Sequence, residues 1–177
     1  MARIIIVYGL VAGLIIIAGV IGTIAIEGGE PHGNVWLGYL IMLLGMSAVF
    51  MGVKQHRDRH NGGVIKFLPA LGVGLGIALF ASLAYVLVWE AYLAATDYAF
   101  MDQYIAATLE ARRAEGLSGQ AYRDLETQMR EMAVAYQSPL FRLPMTFVEI
   151  FPVGLLVSIV SAVLLRNSRF LPARARA

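Results

Sequence analysis

Four runs of about 20 mostly apolar residues constrain this chain more than any other feature. They cover approximately residues 4–26, 35–53, 67–93 and 143–165. A helix rises about 1.5 Å per residue, so each run is long enough to cross about 30 Å of hydrocarbon. Lipid offers no partner to a free backbone N–H or C=O, so a crossing run of this kind must be helical. The composition agrees, with 59% apolar residues, 15% charged residues and a mean hydropathy of +0.70. Soluble domains sit near 45–50% apolar and about 25% charged. The expected fold class is therefore all-α: an integral membrane four-helix bundle, a single domain over residues 1–177, with an extramembrane helical hairpin between spans three and four.

Span one is uncharged and longer than the 7–15-residue apolar core of a cleaved signal, which predicts a retained helix. Gly9 and Gly13 lie four apart within it, and Gly19 and Gly22 follow. Such spacing allows close helix approach in lipid, although glycine is also simply frequent in membrane helices. Gly72 and Gly76 repeat the spacing in span three, where Pro69 fits a first turn. These glycine-lined spans suit a membrane-protein partner or a homo-oligomer, alongside the lipid bilayer itself.

Residues Glu27–Asn34 read as a turn, rich in glycine and without Lys or Arg. Trp36 and Tyr39 then open span two as interfacial aromatics. Lys54–Gly63 reads as a basic loop with His56 and His60 four apart. On a helix these imidazoles would share a face, as a metal requires, but no third ligand stands at a known spacing. The solvated loop is the stronger reading, and no metal or cofactor is expected.

Residues 96–138 form the sizeable polar segment. Phe100, Met101, Tyr104, Ile105 and Leu109 recur at helical spacing, and so do Tyr122, Leu125, Met129, Met132 and Tyr136. Between the stripes, Glu115–Gly119 breaks the pattern and Ser118 is placed to cap a second helix. The segment is acidic on balance, which suits it poorly to anionic lipid. It reads as a solvated cap over the bundle or as a docking surface. The Lys and Arg residues gather instead at Arg3, in the 54–66 region and in the tail after Leu165. The positive-inside rule then puts both termini and the Lys54–Lys66 loop in the cytoplasm and the hairpin outside. A net charge of +2 gives no indication of nucleic acid, and with no cysteine there is neither a disulfide nor a thiolate site.

Chemistry within the spans comes down to two carboxylates. Glu90 closes span three beside Trp89, and Glu149 lies about six residues into span four, roughly 9 Å below its start. Both fall at one level if the spans are antiparallel. Two facing carboxylates share a proton, an arrangement that serves a proton relay or a cation site. The alternative is structural, with each acid bonded to a neighbour such as Tyr85, Tyr92 or Arg142. Pro152, three residues after Glu149, removes a helix hydrogen bond and can kink span four. No catalytic dyad, phosphate loop or haem-ligand pattern is recognisable in the spans.

The chain resembles the bacterial membrane protein family catalogued as domain of unknown function 4199. The resemblance rests on Ile6-Val-Tyr-Gly-Leu10 with Gly13, Gly38-Tyr39, and Phe50-Met-Gly-Val-Lys54 through Arg57-Asp58. It continues with Asn61-Gly62, Phe67, Trp89-Glu90, Pro139-Leu-Phe-Arg142 and Glu149-Ile-Phe-Pro-Val-Gly154. It implies four spans with a helical segment before the last, and it implies no reaction. The function expected from the residues is that of a non-enzymatic accessory or interaction protein. The alternative is a small proton- or ion-coupled transporter using Glu90 and Glu149. A membrane enzyme acting on lipid-linked substrates is a third and weaker reading.

Overall fold

The structure, a computed structural model, describes residues 1–26 and 35–173. The expected turn at 27–34, with His32, and the tail arginines Arg174 and Arg176 lie outside the described residues. Among those described, the chain forms six helices and no strand: α1 (Ala2–Ile26), α2 (Val35–His60), α3 (Phe67–Ala95), α4 (Phe100–Ala114), α5 (Gly119–Gln137) and α6 (Pro139–Leu165). Four of them, α1, α2, α3 and α6, are long and apolar enough to cross a membrane.

The helix α3 lies centrally, packing along α6 and α1, while α2 packs against α1, α6 and α3. Lipid tails are as apolar as leucine, so these helices gain their contacts from close fit rather than from escape from water. Small residues supply that fit. An added Cβ at Gly13 would stand 3.1 Å from the backbone oxygen of Ala81, and one at Gly154 would stand 2.7 Å from Cβ of Ala78. Gly9 and Gly13 therefore serve contact with α3 inside this chain. In α3 the contacts with neighbouring helices fall at Gly74 and Gly76, against Ser158 and Ile5, whereas Gly72 faces open space. Large apolar side chains such as Leu14, Leu44, Leu87 and Val148 stay on the outside, as a lipid-facing surface requires.

The helix α2 does not stop at the apolar boundary. It continues through residues 54–60, the stretch expected to be loop, so His56 and His60 lie on helix. Hydropathy marks the edge of a hydrocarbon layer, whereas a helix is sustained by its own hydrogen bonds and by i,i+4 pairs such as Lys54–Asp58. The two imidazoles do share a face, with ring centroids 5.2 Å apart. No group of three metal-capable side chains forms among the described residues. The start of α6 likewise precedes the apolar run, with Pro139 in its first turn, where its missing N–H costs nothing. The helix continues through Pro144 and Pro152.

Arg57 organises this end of the molecule. It is fully buried, and its guanidinium donates to the carbonyls of Phe170 (2.9 Å), Leu171 and Leu165. Asp58 accepts from its Nε at 2.7 Å. The last carbonyls of a helix have no partner within it and carry the negative end of the helix dipole. Arg57 meets both needs for α6 and ties the following tail to α2, where Phe170 stacks edge-on against Phe50. Substituting Arg57→Gln leaves these carbonyls short of donors, at about 1–3 kcal/mol for each unsatisfied group. Limited trypsinolysis of the variant in detergent should cut at Arg166 and Arg169 several times faster than in wild type. An unchanged rate would mean the tail is held by other contacts.

Candidate functional site

The opposite end of α6 carries the densest polar cluster, centred on Arg142. Its side chain is buried although charged. Nη2 donates to Oε2 of Glu90 at 2.8 Å and Nε donates to Oε1, so the fork of the guanidinium matches the carboxylate edge. Nη1 donates to the carbonyl of Tyr136 at 2.8 Å and to that of Gln137 at 3.3 Å. These carbonyls close α5, so one cation bonds α3 and the C-terminal end of α5 from its position on α6. Two aromatic rings complete its shell, with Tyr98 at 5.0 Å and Tyr136 at 5.6 Å from the guanidinium carbon.

The local backbone is arranged for this contact. The end of α3 is closed by Thr96 N–H on Tyr92 O and by Tyr98 N–H on Leu93 O at 2.8 Å. Asp97 and Tyr98 both take left-handed conformations, with φ of 50° and 57°. Non-glycine residues adopt this region at a cost of about 1–3 kcal/mol each. The double turn accompanies the approach of the Tyr98 ring to Arg142. Trp89, also buried, donates Nε1–H to the Tyr136 hydroxyl at 3.0 Å and meets Phe100 edge to face at 4.9 Å. Burial pushes the Tyr136 phenol up from its ordinary value.

Glu149 stands apart from this cluster. It makes no hydrogen bond or ion pair among the described residues and lines a cavity of about 480 Å³. All six helices contribute to the walls of that cavity, including Tyr85, Trp89, Phe100 and Tyr136. A second cavity, of about 440 Å³, adjoins it through Met101 and Tyr136 and contains Asp97, Asp102 and Arg142.

Of the residues singled out in the sequence, the fold joins Glu90 to Arg142 and brings Trp89, Tyr85 and Glu149 to the larger cavity. Pro152 is exposed and lines neither cavity. Sequence reasoning passed over Tyr98, and it treated Tyr136 only as part of an apolar stripe. The spacing of Tyr136 showed which face of α5 is covered, but no local signal marks its partner. Ser118 does occupy the N-cap position of α5, but its hydroxyl makes no capping bond.

The fold and site thus define an all-helical protein with four helices suited to a membrane and a helix pair tied to them through Arg142 and Trp89. The chain matches the family described as "Protein of unknown function (DUF4199)" over residues 7–167 and belongs to that family. No curated protein and no solved structure matches the chain.

Arg142→Met removes the cation and strands Glu90 and two carbonyls, a change expected to cost about 3–5 kcal/mol. Glu90→Met should cost nearly as much, because it strands the arginine. The double variant should lose clearly less than the sum. Denaturant titrations of the purified variants in detergent measure the coupling, and additive losses would show that the two side chains act independently.

Proposed function

We propose that this protein is a non-enzymatic accessory protein of the bacterial inner membrane, crossing it four times with both termini in the cytoplasm. In this reading α4 and α5 form an extracytoplasmic hairpin that caps the bundle and presents a surface to a partner. The Arg142 latch carries the proposal. It fixes the hairpin to the long helices through Glu90 and the closing carbonyls of α5, as a presented surface requires. The outward face of the hairpin is polar and exposed, with Arg112–Glu115 and Arg130–Glu126 pairs at 2.8 Å. Pairs of this kind add little stability and leave charge available to a partner. Gly72 and Gly22 have open space where a Cβ would stand, which supports contact with a partner helix or a second copy.

The absence of native cysteine makes topology directly testable. In spheroplasts, a cysteine at Ser118 should react with a membrane-impermeant maleimide, whereas one at Gly62 should react only after permeabilisation. The reverse pattern would invert the protein. A photoreactive residue at Arg113 or Arg123 should yield a discrete protein adduct in native membranes. Adducts that are absent there, or confined to lipid, would remove the accessory reading.

A second reading, a small proton- or ion-coupled transporter, draws support from Glu149 alone, because Glu90 is bound to Arg142. Proteoliposomes should then show ion-dependent flux that Glu149→Gln abolishes and Glu90→Gln does not.

A further inference from the structure

The cavity beside Glu149 has a chemistry that selects its occupant. Glu149 is the one charged side chain among its described lining residues. Glu149 is itself exposed, and a carboxylate bordered by apolar walls in lipid needs a proton or a counter-ion. Among the described residues no Lys, Arg or His lines the cavity, and the nearest arginine along α6, Arg142, is already neutralised by Glu90. The charge of Glu149 therefore has no answer from within the described residues.

The walls supply the remaining specificity. Tyr85, Trp89, Phe100, Tyr104 and Tyr136 contribute aromatic surface, and four methionines contribute polarisable, adaptable thioethers. Aromatic rings attract cations through their quadrupole, and more strongly when the site is desolvated. Tyr85 is buried, and its hydroxyl makes no hydrogen bond among the described residues. The space of about 480 Å³ falls within the range of small-molecule sites. A bare metal ion would find one carboxylate and few other oxygens here, far short of the six or more that hard cations take. The adjoining cavity carries Asp97 and Asp102, which favours the approach of positive charge.

We propose that this cavity binds a lipophilic organic cation, with Glu149 as counter-ion and the Tyr85–Trp89–Tyr136 walls enclosing its apolar body. The site goes beyond the accessory reading, and it requires no translocation. Its failure would leave the topology and the hairpin surface untouched, and a failed flux assay would leave it standing.

Tetraphenylphosphonium is a suitable probe, and tetraphenylborate supplies nearly the same shape with the opposite charge. The wild-type protein in lipid nanodiscs should bind the phosphonium saturably above empty nanodiscs, with quenching of tryptophan fluorescence and a raised Tm. Tetraphenylborate should give no saturable signal. Glu149→Gln removes no hydrogen bond of the fold and should weaken phosphonium binding by about tenfold or more, equivalent to at least about 1.4 kcal/mol. Gly38→Leu gives a second route, because Gly38 lines the cavity and an added Cβ there meets nothing within 4 Å. Its leucine should fill the space and abolish binding while the protein stays folded. Absence of saturable binding, equal affinity in Glu149→Gln, or equal binding of tetraphenylborate would overturn the proposal.

Discussion

One guanidinium, that of Arg142, holds three helices in register. It is buried, so its charge must be answered inside the protein, and each answer comes from a different element: Glu90 on α3, the closing carbonyls of α5, and the Tyr98 ring after α3. Burying an ion pair is no guarantee of net stability, because desolvation offsets much of the attraction. What such a pair does specify is arrangement. A hydrophobic contact tolerates sliding along a helix, whereas a bidentate fork with two further acceptors tolerates very little. That constraint, together with the Trp89–Tyr136 hydrogen bond and the Trp89–Phe100 contact, holds the α4–α5 pair against the long helices.

A second arginine solves the matching problem at the far end of the same helix. Arg57 reaches from α2 to the last carbonyl of α6 and to the tail beyond it, so α6 is pinned at both ends by cations that collect backbone oxygens. Between the pins, packing relies on glycine and other small residues, as at Gly13 on Ala81 and Gly154 on Ala78. The division is physically reasonable. Within an apolar medium, shape provides the contact, and strong directional bonds are most useful where backbone groups run out of helical partners.

The two carboxylates that looked alike in the sequence differ in their surroundings. Glu90 meets a bidentate cation and becomes part of the framework. Among the described residues Glu149 meets no charge, and it lines a space bounded by aromatic rings and thioethers. The difference arises because residue 142 lies near the start of α6, close to Glu90 in the fold, while residue 149 lies about 10 Å further along the axis. A framework that satisfies one acid and leaves the other facing a cavity separates structure from potential binding.

The sequence by itself determined the helical class and the four apolar helices, because a run of apolar residues long enough to cross lipid has one stable backbone solution. It also determined the amphipathic pair, since the stripes through Tyr104 and Leu109 and through Met129 and Tyr136 follow the helical period. It did not determine where α2 ends, because hydropathy and helix length are set by different forces. Nor did it determine that Arg57 and Arg142 would be buried. An arginine beside an apolar run reads as a surface anchor until the tertiary structure brings acceptors to it from residues about 50 or more places away. The tertiary structure alone decided which glycines meet a neighbour, which acid is paired and where the cavity lies, because each depends on contacts between elements that no local pattern encodes.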